Sequence, residues 1–528
     1  MIWVILAAAI IYKVWKVLRK PLKYWSDRGV KQSKPWLLLG DTWITLFKRK
    51  SFSEFTEWLY NMHPNSRYSG CYQFYIPTLV LRDPELVKQI TVRDFDHFTD
   101  HRTFIDSDDD PLWSRNLFSL KGQRWREMRS TLSGSFSSSK MKIMFNLMNE
   151  AADNFVQYFV NKNEDLIELE MKDTYTRYTN DVIATTAFGI KVDSLVQPKN
   201  TFYLMGRRIT NFSGLLTSLK FLGYLLIPTV YKKLKICILD KIASEFFHRI
   251  INETIRTREE KGIVRPDMIN MLLEAKHGIQ QDYQDVVQDY SDNTFATVHE
   301  SNDITKFRQL KSLTNEDITS QAVIFFFGGF DTISTAMCFG SYELAINQDI
   351  QDRLRNEIKR TFEENNGQIT YDVLLKMKYL DMVVSEILRK WPPVSRTDRV
   401  CTKPYIIENK SPGEPKLYID SGITISIPIM GFHRDPLYYP DPEKFDPERF
   451  DQADKIMDYP YFPFGCGPRK CIASRFALIE LKALLFKLVL HFEIVPSSKL
   501  QQPIQIAKGS FTPAIKGGFL FNLKKLSL

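Results

Sequence analysis

The strongest chemical signal in the chain is one run of residues, Pro463-Phe464-Gly465-Cys466-Gly467-Pro468-Arg469-Lys470-Cys471-Ile472-Ala473-Ser474-Arg475-Phe476-Ala477. Its two glycines and a proline favour a tight turn whose backbone N–H groups can converge on one atom. Directly after it, Ile472 to Phe492 reads as an amphipathic helix. A thiolate on Cys471, at the start of that helix, would gain from the macrodipole and the free N–H groups. Haem iron held by such a thiolate receives electron density that favours O–O cleavage. The other cysteines, Cys71, Cys237, Cys338, Cys401 and Cys466, are too sparse for a disulfide scaffold and form no CxxC pair. They are expected to be buried thiols acting as small hydrophobes. A lone cysteine would be read the same way; its loop sets Cys471 apart.

A second signal is Phe325-Phe326-Phe327-Gly328-Gly329-Phe330-Asp331-Thr332, inside the apolar run from Asp317 to Leu344. That run is expected to be one long helix interrupted by Gly328-Gly329, since an interior glycine costs roughly 1 kcal/mol. Two readings are open. Asp331 could cap a new helix after the break, or the helix could open a groove with an acid and an alcohol, Asp331 and Thr332, beside it. Glu386 and Arg389, at i and i+3, read alone as a surface ion pair worth roughly 0.2–0.5 kcal/mol.

The cysteine loop, with Phe464, Gly467, Arg469 and Cys471 spaced Phe-x-x-Gly-x-Arg-x-Cys, resembles the signature of the cytochrome P450 superfamily, and the likeness extends over essentially the whole chain. The chain is similar in particular to insect microsomal enzymes, above all the xenobiotic-metabolising family nine. That likeness rests on Thr176-Arg177-Tyr178-Thr179-Asn180-Asp181-Val182-Ile183-Ala184-Thr185-Thr186-Ala187-Phe188-Gly189, the run Met377 to Pro393, and Gly431-Phe432-His433-Arg434-Asp435-Pro436. It implies a mainly α fold with small β-sheets and a haem b cofactor. It implies electrons from NADPH through a flavoprotein reductase, with cytochrome b5 as a further donor. The implied reaction is O2-dependent hydroxylation or epoxidation of lipophilic molecules: plant toxins, insecticides, endogenous lipids or hormones.

Under this resemblance Cys471 is the proximal iron ligand, and Asp331 and Thr332 relay protons. Phe445-Asp446-Pro447-Glu448-Arg449-Phe450 adds Arg449 to Glu386 and Arg389 as a buried structural network. Trp125 and Arg129, one turn apart, can present an indole N–H and a guanidinium to the haem propionates. Arg399 and Arg469 fall where the family places two more propionate partners. His101 and Arg102 are weaker candidates, an exposed loop pair being the plainer reading. Lys121, Arg124, Arg126 and Lys470 could meet an acidic reductase surface, or be scattered solvated charge.

The elements that must position these residues follow a simple order. Residues 1–18 are expected to be an N-terminal transmembrane anchor: Ile2 to Tyr12 is unbroken apolar, and Val14, Trp15, Val17 and Leu18, around Lys13 and Lys16, extend it to the lower limit of a bilayer span. The positive charge follows this run instead of preceding it, which favours an anchor over a cleaved signal and leaves the body cytosolic; the likeness to microsomal enzymes implies the endoplasmic reticulum membrane. Residues 19–40 read as a basic linker and 41–528 as the catalytic domain. The net charge of +9 is confined to residues 1–50, which hold eleven lysines and arginines against two aspartates. Such a stretch suits an anionic membrane surface, and nucleic acid is not an expected partner. Tyr371 to Lys390 reads as a helix stopped by Pro392-Pro393, and Lys416 to Pro428 alternates like a strand. Residues 212–228 read as a core helix by periodicity, or as a membrane-dipping stretch by the family likeness. Residues 278–312 look like a polar surface excursion.

The match has four departures. Ala473 replaces a glycine of the loop, Gly328 replaces an alanine of the oxygen groove, and Ile333 stands where a second hydroxyl is frequent. The linker has one proline, Pro35, where several are common. Pocket-lining positions near Phe104, Phe330, Val394 to Thr397 and Phe511 specify only apolarity and rough size. Two rivals remain at this level: a haem-thiolate isomerase or dehydratase that needs no reductase, and a non-catalytic binder of lipophiles. An acid–alcohol relay has little use in either.

Overall fold

The structure, a computed structural model, describes residues 13, 15–16, 19–103, 110–212, 220, 223–224, 227–234, 236–265, 267–277, 313–410, 414–451 and 460–527. Residues 1–12 of the expected anchor, Phe104, most of 212–228 and all of 278–312 lie outside the described residues. The principal helices are α1 (Phe52–Asn61), α2 (Gly122–Ser133), α3 (Ser138–Val160), α4 (Met171–Thr186), α5 (Thr201–Ile209), α6 (Lys241–Lys261), α7 (Asn315–Ile346), α8 (Gln348–Glu364), α9 (Lys378–Lys390) and α10 (Ser474–His491). The strands are β1 (Tyr68–Gln73), β2 (Ile76–Leu81), β3 (Leu166–Glu170), β4 (Thr397–Val400), β5 (Tyr405–Ile407), β6 (Leu417–Ile419), β7 (Thr424–Ile427), β8 (Phe492–Pro496) and β9 (Leu520–Lys525). They form three small sheets, ordered β1-β2-β7-β4, β3-β9-β8 and β5-β6. The expected class, mainly α with small β-sheets, is what the chain adopts.

Helix α7 is the spine. A capping box starts it: the Asp317 N–H donates to Thr314 Oγ1 at 3.1 Å, and the Thr314 N–H donates to the Asp317 carboxylate at 3.1 Å. Helices α4, α6, α8, α9 and α10 pack around it. Among the described residues it is the one helix long and apolar enough to cross a membrane. Its burial among these neighbours makes it the core of the domain.

Three sequence expectations are corrected. First, Gly328-Gly329 does not interrupt α7, which runs unbroken from Asn315 to Ile346. The two glycines serve different ends. A Cβ on Gly329 would lie 2.0 Å from Ile183 Cδ1 of α4, so glycine lets these helices approach; a Cβ on Gly328 would meet nothing within 4 Å. Second, Tyr371 to Lys390 is two helices, because Met377 is extended (φ −74°, ψ 101°) between Lys376 and Lys378. Third, the stretch read as a linker is packed. Trp25 is fully buried and its indole N–H donates to the Cys71 carbonyl at 3.3 Å, while Gln32 and Gly40 bridge to Gly70 and Gln73 of β1. The alternation at 416–428 resolves into β6 and β7, joined by a turn with Gly422 at φ +92°.

The Glu386–Arg389–Arg449 network is present, with Glu386 and Arg389 buried and Arg449 partly so. Arg389 Nε and Nη2 donate to the two Glu386 oxygens at 2.6 and 2.8 Å, and Arg449 Nε stands 3.5 Å from Oε1. Arg389 also donates to the His433 and Pro442 carbonyls at 2.9 and 2.8 Å, and the Asp446 N–H donates to Glu386 at 2.9 Å. Removing one member of such a network typically costs ~3–5 kcal/mol.

The two glycines of α7 give a paired test by thermal unfolding. Gly328→Ala is expected to stabilise by up to ~1 kcal/mol, since helix propensity rises and the methyl meets open space. Gly329→Ala is expected to destabilise by ~1–3 kcal/mol, since Ile183 must move.

Candidate active site

The cysteine loop is fixed by backbone geometry before any side chain acts. Gly467 lies at φ +69°, and a Cβ there would sit 1.9 Å from the Thr91 carbonyl oxygen. Only glycine fits such a position. The turn is closed by the Gly465, Lys470 and Cys471 N–H groups, which donate at 2.9 Å to the carbonyls of Phe462, Gly467 and Phe464. Two outside residues clamp it. Arg399 of β4 donates to the Cys466 carbonyl at 2.8 Å, and the Phe462 N–H donates to His433 Nε2 at 3.1 Å. Burial, with the Arg389 charge, pushes His433 down to about 3, so it stays the neutral acceptor that this bond needs.

Cys471 is the one cysteine classed as exposed; four are buried and Cys237 is intermediate. Yet burial pushes the Cys471 thiol up, opposed by a hydrogen bond from the Ala473 backbone and by the Arg129 and Lys470 charges. A sulfur that solvent can reach while protein surrounds it faces an interior cleft. Gly328 is likewise exposed midway along α7, whose other exposed residues, Asn315 and Ile346, are its two ends.

Beside the loop, the chain buries like charge. Arg129, Arg399 and Arg469 are at most 8% exposed, and Trp125 is at 1%. The Arg469 guanidinium lies 4.0 Å over the Trp125 ring and donates to the carbonyls of Thr99 (2.7 Å), Leu117 (3.3 Å) and Leu120 (2.7 Å). Burial first, then the charges of Arg399 and Arg129, hold Arg469 well below its ordinary value; Asp100, 3.5 Å away, opposes them. His101 is buried, contrary to an exposed loop pair. Its ring stacks on Phe118 at 4.6 Å and its Nδ1 stands 3.2 Å from Asp398, which also accepts the Arg102 N–H at 2.7 Å. Five of the expected cofactor contacts, Trp125, Arg129, Arg399, Arg469 and His101, are therefore buried around one loop. The cluster carries more positive than negative charge, which suits a group bringing two carboxylates; the sulfur and its N–H partner suit a metal. These residues fit haem b. Of the four basic residues offered for a reductase, Arg124 is paired with Asp317 (2.9 Å) and Arg126 with Asp96 (2.5 Å).

Asp331 and Thr332 are adjacent but differently engaged. The Thr332 hydroxyl donates to the Gly328 carbonyl one turn back. Asp331 is an ion-paired carboxylate: Lys172 Nζ of α4 stands 2.7 Å from Oδ1, and Thr512 Oγ1 donates to Oδ2 at 2.7 Å. Burial would raise this carboxyl, but Lys172 and Thr512 outweigh it and leave it below the usual range. Neither partner was singled out from the sequence, for both lie far away along the chain. Phe330 does not line the cleft; it is buried, stacked on Phe326 at 4.9 Å. Trp113, Phe212 and Phe327 instead meet ring to ring, with centroids 5.5 to 5.9 Å apart.

Two departures gain an explanation. Ile333 is 4% exposed and packs in the core, where a hydroxyl would need a partner. Ala473 is the N-cap of α10 at φ −98°, outside the helix interior. A glycine there would escape the interior helix penalty, and glycine caps better than alanine. Ala473→Gly is therefore expected to raise stability by less than ~1 kcal/mol, read by thermal unfolding of the holoprotein. A loss of several kcal/mol with release of cofactor would make the methyl a required packing element.

Comparison with known proteins bears on the same residues. The chain matches the cytochrome P450 family model over residues 33–521. It is 44% identical over 519 residues to cytochrome P450 9e2 of Blattella germanica, covering 95% of this chain and 94% of that one. It is 38% identical over 530 residues to the probable cytochrome P450 9f2 of Drosophila melanogaster, covering 98% and 97%. To cytochrome P450 6k1 of Blattella germanica it is 33% identical over 517 residues, covering 97% and 95%. The glycine-bound cysteine loop, its charged surroundings and these near-complete matches agree, and the chain belongs to the cytochrome P450 family of haem-thiolate monooxygenases.

Proposed function

We propose that this chain hydroxylates or epoxidises lipophilic small molecules, xenobiotics such as plant toxins or insecticides before endogenous lipids. Haem b is held by Cys471, and electrons come from NADPH through a flavoprotein reductase, with cytochrome b5 as a second donor. The observation that carries the reading is Cys471 itself: reachable from a cleft, at the start of α10, with the Ala473 N–H on its sulfur and buried guanidiniums close by. The likeness to the insect family-nine relatives supports the substrate class. The basic residues that follow the apolar N-terminus support residence on the endoplasmic reticulum membrane through residues 1–18.

Bound here, haem would supply the iron chemistry that splits O2 and leaves one oxygen atom in the substrate. The residues of the chain do the rest. The α10 dipole and the Ala473 N–H favour the thiolate form of Cys471 against the penalty of burial. Arg129, Arg399, Arg469, the Trp125 N–H and His101 would hold the carboxylates of the cofactor. The missing side chain of Gly328 leaves a groove, and its carbonyl holds the Thr332 hydroxyl at the edge of that groove. Thr332 Oγ1 passes protons into the groove, and Asp331 resupplies them. Because Asp331 stands as an ion-paired carboxylate, it must first take up a proton from water, loosening its hold on Lys172, before it can act as an acid.

The experiment is product formation with NADPH and added reductase across plant toxins, insecticides and endogenous lipids; NADPH-dependent oxygenated products support the reading. Turnover without NADPH, or binding without product, would overturn it. Cys471→Ser is expected to abolish the red-shifted absorption of the reduced carbon monoxide complex. Thr332→Ala is expected to keep cofactor and substrate but lose most of the product formed per NADPH, the electrons passing to peroxide or water. Unchanged product per NADPH would remove Thr332 from proton delivery.

A further inference from the structure

The segment from Gln505 to Lys516 is a narrow loop with a closed neck. The Ala507 N–H donates to the Ala514 carbonyl at 2.7 Å, the Lys516 N–H donates to Gln505 at 2.8 Å, and Ile506 bridges Ile515. At its tip Phe511 is 59% exposed, with its ring 4.9 Å from Phe52 of α1. The next residue turns the other way. Thr512 is buried, and its hydroxyl donates to Oδ2 of Asp331 at 2.7 Å. The other oxygen, Oδ1, is held by Lys172, which is itself fixed by the Ser334 and Thr335 hydroxyls at 2.8 and 2.7 Å and by the Asp331 carbonyl at 3.1 Å. Lys172 is thus anchored on α7 four ways, whereas Thr512 hangs on a loop. Of the two oxygens, Oδ2 is the one whose partner can move.

We propose that Thr512 is a positioning residue for proton delivery: the tip of loop 505–516 latches Asp331 Oδ2, and a lipophilic molecule that lifts the tip frees that oxygen to take a proton from solvent water and pass it on toward Thr332. The latch couples occupancy of the pocket to readiness of the acid. An empty pocket keeps both carboxylate oxygens engaged, which limits the waste of electrons when there is no substrate to receive oxygen. The inference rests on the reading of Asp331 as the proton source, and its test separates the two.

Hydrogen exchange of the holoenzyme, followed by mass spectrometry, reads the latch without reference to turnover. Thr512→Val removes the donor at nearly constant volume. The peptide covering 505–516 is expected to exchange about tenfold faster, as for loss of a charge-assisted hydrogen bond, while α4 stays unchanged. Thr512→Ser, which keeps the hydroxyl, is expected to restore protection. Unchanged exchange in Thr512→Val overturns the latch. Product per NADPH and its solvent deuterium isotope effect then read the positioning role. Both are expected to change several-fold in Thr512→Val and to return in Thr512→Ser. A loosened loop with both unmoved overturns the positioning role and leaves Thr512 a structural tie. Full product per NADPH in Asp331→Asn, beside a loosened loop in Thr512→Val, would sink the reading of Asp331 and not the latch.

Discussion

Buried positive charge is the constraint around which the rest of this molecule is arranged. Arg129, Arg399 and Arg469 sit within one cluster, and a guanidinium taken out of water carries a desolvation penalty of several kcal/mol. The chain offsets part of it with its own backbone. Arg399 donates to the carbonyls of Asp398 and Cys466, and Arg469 to those of Thr99, Leu117 and Leu120. These bonds tie β4, the approach to α2 and the cysteine loop to one another. The groups that stabilise the buried charge therefore also set where the Cys471 sulfur stands. What backbone dipoles leave unbalanced calls for negative charge, and a cofactor with two carboxylates brings it.

The second constraint is closeness. Gly467 must pass the Thr91 carbonyl, and Gly329 must let α7 meet Ile183 of α4. The first contact holds the thiol-bearing turn; the second brings Lys172 of α4 within reach of Asp331. Behind both, Glu386 and Arg389 join α9 to the segments around His433, Pro442 and Asp446, and His433 in turn accepts the N–H of Phe462 at the start of the cysteine loop. Charge pairing at the back of the domain is thus transmitted to the loop through one neutral imidazole.

Local chemistry was legible in the sequence, and long-range pairing was not. The Cys471 loop, the adjacency of Asp331 and Thr332, and the Glu386–Arg389 spacing are properties of short segments; the last forms an ion pair as its spacing suggests, but a buried one where the spacing alone reads as surface. The unbroken α7 was misread because glycine propensity is a weak prior, overridden here by packing against α4. The extended Met377 leaves no compositional mark within an otherwise helical pattern. Lys172 and Thr512 are 159 and 181 positions from Asp331, too far for any periodicity to connect them. His101 looked like part of an exposed loop because nothing local shows that Asp398 will meet it. The fold supplies that partner, and with it the burial.

Everything argued for the site depends on Cys471 being the residue whose sulfur meets iron. X-ray absorption at the iron edge of the purified full chain tests this directly, with Cys466→Ser as the control for the neighbouring thiol of the same loop. The wild-type chain and Cys466→Ser should both show one sulfur neighbour beside the porphyrin nitrogens. A shell of nitrogen and oxygen alone in the wild-type chain, or a sulfur signal lost in Cys466→Ser, would contradict the account.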